Sequence, residues 1–217
     1  MTFLEAINAV QRRLREDTTA ASNSSDYSKL IADFVNQAIY DCEHAWDWNS
    51  LKETITITTA ASDDLYDFHT ADTKIIEGVN STKNWVMRVI PAAYQHRLEY
   101  LDTTVSDSPY YYSLLSKNST SSQLKLYPKP DGVESLKFLT IKHTPAYAID
   151  STDDTNEIVI PSHPVVLQAY AYAVSERGED AGIGYSEADE NARKALADSI
   201  SLDASMTHCS EVQWNAV

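Results

Sequence analysis

Tyr27–Trp48, YSKLIADFVNQAIYDCEHAWDW, is the stretch from which the rest of the chain can be read. Tyr27, Leu30, Ile31, Phe34, Val35, Ala38, Ile39, Cys42 and Trp46 recur at steps of three, one and four residues. This is an apolar stripe of period 3.6 with no Gly or Pro inside it, and it predicts a helix of about 20 residues. Ser25 or Asp26 is placed to accept the orphaned N–H groups of its first turn. Burying such a stripe gains about 1.5–3 kcal/mol per large side chain, while ordering the helix costs about 1–2 kcal/mol for every residue in it. The helix must therefore be held by other apolar faces, and the chain on either side has to supply them.

Upstream, Thr2 to Arg15 reads as a helix opened by a T-x-x-E capping box, Thr2 with Glu5. Phe3, Leu4, Ile7, Val10 and Leu14 form its apolar face. Arg12, Arg13 and Arg15 gather near its C-terminal end, where the dipole favours cations; they are solvated there or meet a partner's acidic surface. Downstream the pattern changes to β. Thr54-Ile55-Thr56-Ile57-Thr58 alternates with period 2 and is β-branched throughout. Short strands follow at 74–79, 85–89, 110–114, 123–127, 136–143 and 158–160, with one helix at 92–101. After Pro161 the helical pattern returns over 165–177, with Ser162 or His163 as cap and Gly178 as stop. A last helix covers 186–202. The fold expected is α+β: a four-helix bundle made from the two terminal helix pairs, residues 1–50 and 161–203, around an inserted antiparallel β domain, 51–160. The insert is a small sandwich or an open barrel, and 204–217 is an extended C-terminal arm.

The 217 residues carry 17 Lys and Arg against 32 Asp and Glu, a formal charge of −15. Gripping nucleic acid takes cations on phosphates, so this balance argues against it while allowing a duplex to pass beside an acidic wall. No apolar run approaches the ~18 residues of a membrane span, and the N-terminus lacks the pattern of a signal peptide. Cys42 and Cys209 make no disulfide framework and are expected as reduced thiols.

No catalytic template is met: there is no G-x-S-x-G, P-loop, H-E-x-x-H or C-x-x-C, and no cofactor or metal is expected. Asp63, Asp64, Asp67, His69 and Asp72 are hard-cation ligand types, but the EF-hand order is absent and a solvated loop is the plainer reading. Asp150, Asp153, Asp154, Asn156 and Glu157 form a second such loop. His163 has no nucleophile to serve. Tyr110, Tyr111 and Tyr112 could stack sugar rings, which makes a carbohydrate-binding module the alternative function; at strand spacing, core plus surface is the simpler reading. Trp46 and Trp48 are expected to pack against the first strand. Trp214 sits in a tail without period, where an exposed aromatic acts as an interface anchor.

Several stretches taken in order, FLEAINAVQRRLRE, YSKLIADFVNQAIYDCEHAWDWNSLKETITITT, SPYYYSL, LKLYPKPDGVESLKF and VIPSHPVVLQAYAYAVSERGEDAGIGYSEA, resemble the head-to-tail adaptor proteins of short-tailed bacteriophages, the tail tubular protein A family. The resemblance implies a structural virion protein without enzymatic activity, assembled in the host cytoplasm into a ring, a dodecamer, in the neck. Such a ring joins the portal protein to the tail nozzle protein and continues the DNA channel, touching no membrane. It further implies that the C-terminal segment reaches the portal, with Met206, Val212 and Trp214 as contacts, and that the outer face of the long helix, carrying Asp33, Asp41, Glu43 and Asp47, meets a neighbouring subunit or the channel.

Overall fold

The computed structural model describes residues 1–68, 73–101, 106–116, 122–178 and 184–208. The chain forms two compact units, one of Met1–Leu51 with the chain from His143 onward, the other Lys52–Lys142.

The first unit is helical: α1 (Phe3–Arg13), α2 (Asp26–Ala45), α4 (Ser162–Arg177) and α5 (Tyr185–His208), with α3 (Ala92–Leu101) left to the second unit. The Thr2–Glu5 capping box opens α1 as expected, and a Ser25–Ser28 box opens α2. The helix these residues organise around is not α2. Half of α4, including Val165, Val166, Ala169, Tyr170, Ala173 and Val174, is buried, and α4 packs against α1, α2 and α5. A helix apolar on most sides has to be surrounded, and its alanines let three neighbours approach. Pro161 stands at the N-cap of α4 with no side-chain cap bond, so neither Ser162 nor His163 caps it, while Gly178, at φ 59°, ends it in the left-handed conformation. On α2 the buried row is Ile31, Ala32, Val35, Ala38, Ile39, Cys42 and Glu43; Leu30 and Trp46 lie on the exposed side. The last helix runs to His208, past the expected end at Leu202, because Ala204, Ser205 and Met206 offer no helix breaker.

Residues 143–160 belong with the helices. The side chain of Asn36 donates to the Tyr147 carbonyl at 2.9 Å and accepts from its N–H at 3.0 Å. Phe3 stacks on Tyr147 at 5.0 Å, and the N–H groups of Phe3 and Leu4 donate to the carbonyls of Asn156 and Asp154. The expected strand at 158–160 does not form; an isolated bridge pairs Thr2 with Glu157.

The second unit contains β1 (Lys52–Thr58), β2 (Leu65–Phe68), β3 (Thr73–Asn80), β4 (Trp85–Val89), α3 (Ala92–Leu101), β5 (Tyr111–Ser116), β6 (Ser122–Tyr127) and β7 (Ser135–Lys142). Its seven strands make one sheet in the order β1-β7-β3-β4-β5-β6-β2. The sheet is mixed, correcting the antiparallel expectation: β4 and β5 run parallel. Parallel neighbours need a crossover, and α3 is that crossover. Gln95 secures it, accepting from the Ser113 hydroxyl and donating to the Leu126 carbonyl. Ile55 and Ile57 of β1 share a core with Phe68 of β2, although these strands end opposite sides of the sheet. The sheet therefore curls into a nearly closed barrel around Phe138, Tyr112, Leu124, Leu126 and Leu136. A buried carboxylate, Glu134, ties its rim together by accepting from Asn80 and Ser108.

Gly78 is where the barrel wall comes nearest its core. A Cβ added there would lie 2.7 Å from the Phe138 ring, 2.9 Å from a second ring carbon and 3.2 Å from Tyr112. Gly78→Ala should destabilise the chain by about 1–3 kcal/mol through overpacking, read as a lower urea midpoint. Gly132→Ala, whose added methyl meets nothing within 4 Å, should leave the midpoint in place; equal effects would contradict this packing.

Candidate interaction surfaces

The side chains with the chemistry of a site are used for structure. Asp63 accepts the Leu65 N–H, Asp64 lies 3.8 Å from Lys129, and Gln123 donates to Asp67; His69 and Asp72 lie outside the described residues. In the second acidic loop Asp153 holds Ala148 and Asn156, Asp150 accepts from Thr152, and Asp154 accepts from Ser22. Among the described residues no group of three or more His, Cys, Asp or Glu is arranged to hold a metal. The three tyrosines do not form a platform. Tyr112 is buried and meets Phe138 edge-on, and Tyr110 and Tyr111 stand at 64° to one another.

The C-terminal end of α2 pins the chain where it leaves the helical unit and where it returns. Outgoing, Trp48 is fully buried with Nε1 donating to the Cys42 carbonyl at 2.8 Å. Trp46 donates from Nε1 to Asp203 of α5 at 3.0 Å, and Asn49 meets the same residue. Returning, the Thr144 N–H donates to Glu43 at 2.8 Å, and His143 stacks on His44 at 4.1 Å. Glu43 is therefore an inward residue, 1% exposed, and not part of the outer face expected for it. One of its carboxylate oxygens has no hydrogen-bond partner. Burial raises its pKa, and the bond from Thr144 and the charge of His44 oppose that. Burial also pushes the Cys42 thiol up to about 12, so this cysteine is inert near neutral pH. Sequence reasoning missed Glu43 because its position reads as a polar step between Cys42 and His44.

The exposed surface is the informative part. The helical unit has 7 Lys and Arg against 21 Asp and Glu, a net −14, and the β unit 10 against 11, a net −1. Nearly the whole acidic excess thus sits on one unit. On that unit a groove of about 590 Å³ lies over α4 between α1 and α5, lined by Arg13, His163, Leu167, Lys194, Asp198 and Leu202 among others. Leu202 and Met206, one helical turn apart on α5, are 67% and 70% exposed. Val212 and Trp214 lie outside the described residues. On the β unit α3 buries a single residue, Gln95, while Tyr94, Tyr100 and Leu101 stay exposed, as do Val86 and Val89 on β4. Scattered apolar residues are normal on a surface; a helix that turns most of its large side chains outward makes a candidate interaction surface. No helix among the described residues is long and apolar enough to cross a membrane.

Two units, one acidic and one near neutral, both leaving apolar side chains in solvent, define a chain built to sit among other proteins. The chain belongs to the SU10 adaptor protein family, whose model matches residues 1–208. This is a family of phage head-to-tail adaptors, and its members are structural proteins of the virion. The match ends where α5 ends. No curated protein matches the chain.

A carboxyl whose folded pKa is raised contributes stability that is full below its unfolded value and is lost as pH rises through the folded value. For Glu43 the loss begins above 4.5, the ordinary value. Glu43→Gln keeps an acceptor for Thr144 and removes the titration. Relative to that variant the wild-type chain should lose stability steadily as pH rises, measured by urea unfolding across the series; a difference independent of pH would contradict the assignment.

Proposed function

We propose that the chain is the adaptor ring of a phage neck, of the kind called tail tubular protein A, joining the portal protein above to the tail nozzle protein below. Twelve copies close the ring, with the four helices of each packed as one bundle in its body, and the ring assembles in the host cytoplasm. The observation that carries this reading is the division of charge. A net −14 on one unit, repeated around a ring, makes a wall that repels phosphates and lets a duplex slide without being held. The β unit, near neutral and with α3 and β4 exposing apolar side chains, suits a protein contact on the tail side. The end of α5 leads into the portal contact, with Met206 on the helix and Val212 and Trp214 in the segment beyond it.

Negative-stain images of the chain mixed with its portal should show closed rings seated on the portal face. Removing residues 209–217 together with Met206→Ser should abolish that docking while the unfolding midpoint stays within error of wild type. Undiminished docking would overturn the portal arm, and monomers alone in the presence of portal would overturn the ring. A linear duplex should migrate unchanged in a gel at low salt with excess protein; a retarded band would contradict the repelling wall.

A further inference from the structure

The groove over α4 gathers cations in a unit that has few. Of its 7 Lys and Arg, Arg13 and Lys194 line the groove beside His163. Arg13 has no ion pair among the described residues. Lys194 reaches Glu190, one turn back on its own helix, at 2.7 Å, with both side chains about two-thirds exposed, a pair that solvent screens and a partner can displace. Asp198 is the acidic member of the lining, and Leu167, Ala195 and Leu202 are its apolar members. Along α5 the lining runs from Asn191 to Leu202, about 16 Å at the helical rise.

A surface of matching length and opposite character exists on the same unit. Leu30, Asp33, Gln37 and Tyr40 recur at helical spacing along α2 and are exposed, Leu30 by 36% and Tyr40 by 55%. They form a ridge of about 15 Å with an acid between apolar ends. Asp33 has no hydrogen bond or ion pair among the described residues. The opposite face of α2, with Ile31, Ala32, Val35, Ala38 and Ile39, is buried in the unit, and Asp41, which accepts from Gln37 and from Tyr172 of α4, stands at the edge between that face and the ridge. The ridge is exposed, and no residue of α2 lines the groove of its own chain.

We infer that the groove receives the outer ridge of α2 from a second copy of this chain, with Asp33 set against Arg13 and Lys194, and Leu30 and Tyr40 set against the apolar lining. A helix ridge laid in a groove is a common mode of recognition. Ridge and groove are different patches, so the contact is heterologous and propagates from copy to copy, closing into a ring or extending as a filament. A two-fold dimer does not result from it. The inference rests on the ring proposed above and names the surfaces that would build it.

The test is a double variant, Gln37→Cys with Ser199→Cys, in a Cys209→Ser background that leaves the buried Cys42 in place, oxidised alone and with the portal ring. A ladder of covalent oligomers is expected on a denaturing gel, with each single-cysteine variant stopping at dimer. Arg13→Glu with Lys194→Glu should cut the ladder at least tenfold, and adding Asp33→Lys should restore it. No ladder under either condition, or one indifferent to the charge reversal, overturns the contact. Failure of the ring is read separately: an open-ended ladder keeps this contact and removes the ring, whereas rings imaged on portal without cross-links keep the ring and remove the contact.

Discussion

The structure depends on the need to surround α4. Between His163 and Glu176 the helix has no charged residue, and Val165, Val166, Ala169, Tyr170, Ala171, Ala173 and Val174 are all buried. A helix of this kind left in water would lose about 1.5–3 kcal/mol for each large apolar side chain it failed to bury. It is covered by α1, α2 and α5. The N-terminal helices are therefore covered by a segment more than a hundred residues later, with the β unit lying between them in the sequence. The segment 143–160 then fastens the start of α1 and the middle of α2, so that both ends of the chain close on one core.

The helical unit carries nearly all of the chain's acidic excess. Once α1, α2 and α5 commit their apolar rows to α4, they carry 10 of the unit's 21 carboxylates and 5 of its 7 cations, and the other carboxylates lie in α4 and in the segments between and beyond the helices. The β unit solves a different problem. Its sheet curls until the first and last strands share the core around Phe138, so one sheet encloses a core without a second sheet. The cost is that α3, needed to connect parallel β4 and β5, lies outside the barrel with one buried residue. An adaptor can use such a helix, because a neighbouring protein can cover what the barrel does not.

Much of this was legible in the sequence. The capping box at Thr2 and Glu5, the helical period through α2, the alternation at Thr54–Thr58 and the stop at Gly178 each act over a few residues, where local physics decides. Four features were not legible for physical reasons. Which helix is central depends on how many sides are covered, and α2 has the longer stripe while α4 has the more complete coverage. The parallel pairing of β4 with β5 depends on where the crossover lands. The four-residue β2, LYDF, is an edge strand too short to show its alternation, and it lies inside the acidic stretch from Asp63 to Asp72. The Glu43 site was hidden for the same reason: its burial is set by the return of the chain at His143 and Thr144, 100 residues away along the sequence.

The central claim is that this chain is a structural ring of the phage neck, with its acidic helical unit toward the DNA path. An electron cryomicroscopy map of the virion neck that carries this chain tests it most directly. The account predicts density for this chain as a closed ring between portal and nozzle, with carboxylates of the helical unit lining the channel and the β unit in contact with tail protein. Density for this chain outside the neck, or a ring whose channel is lined by the β unit, would contradict it.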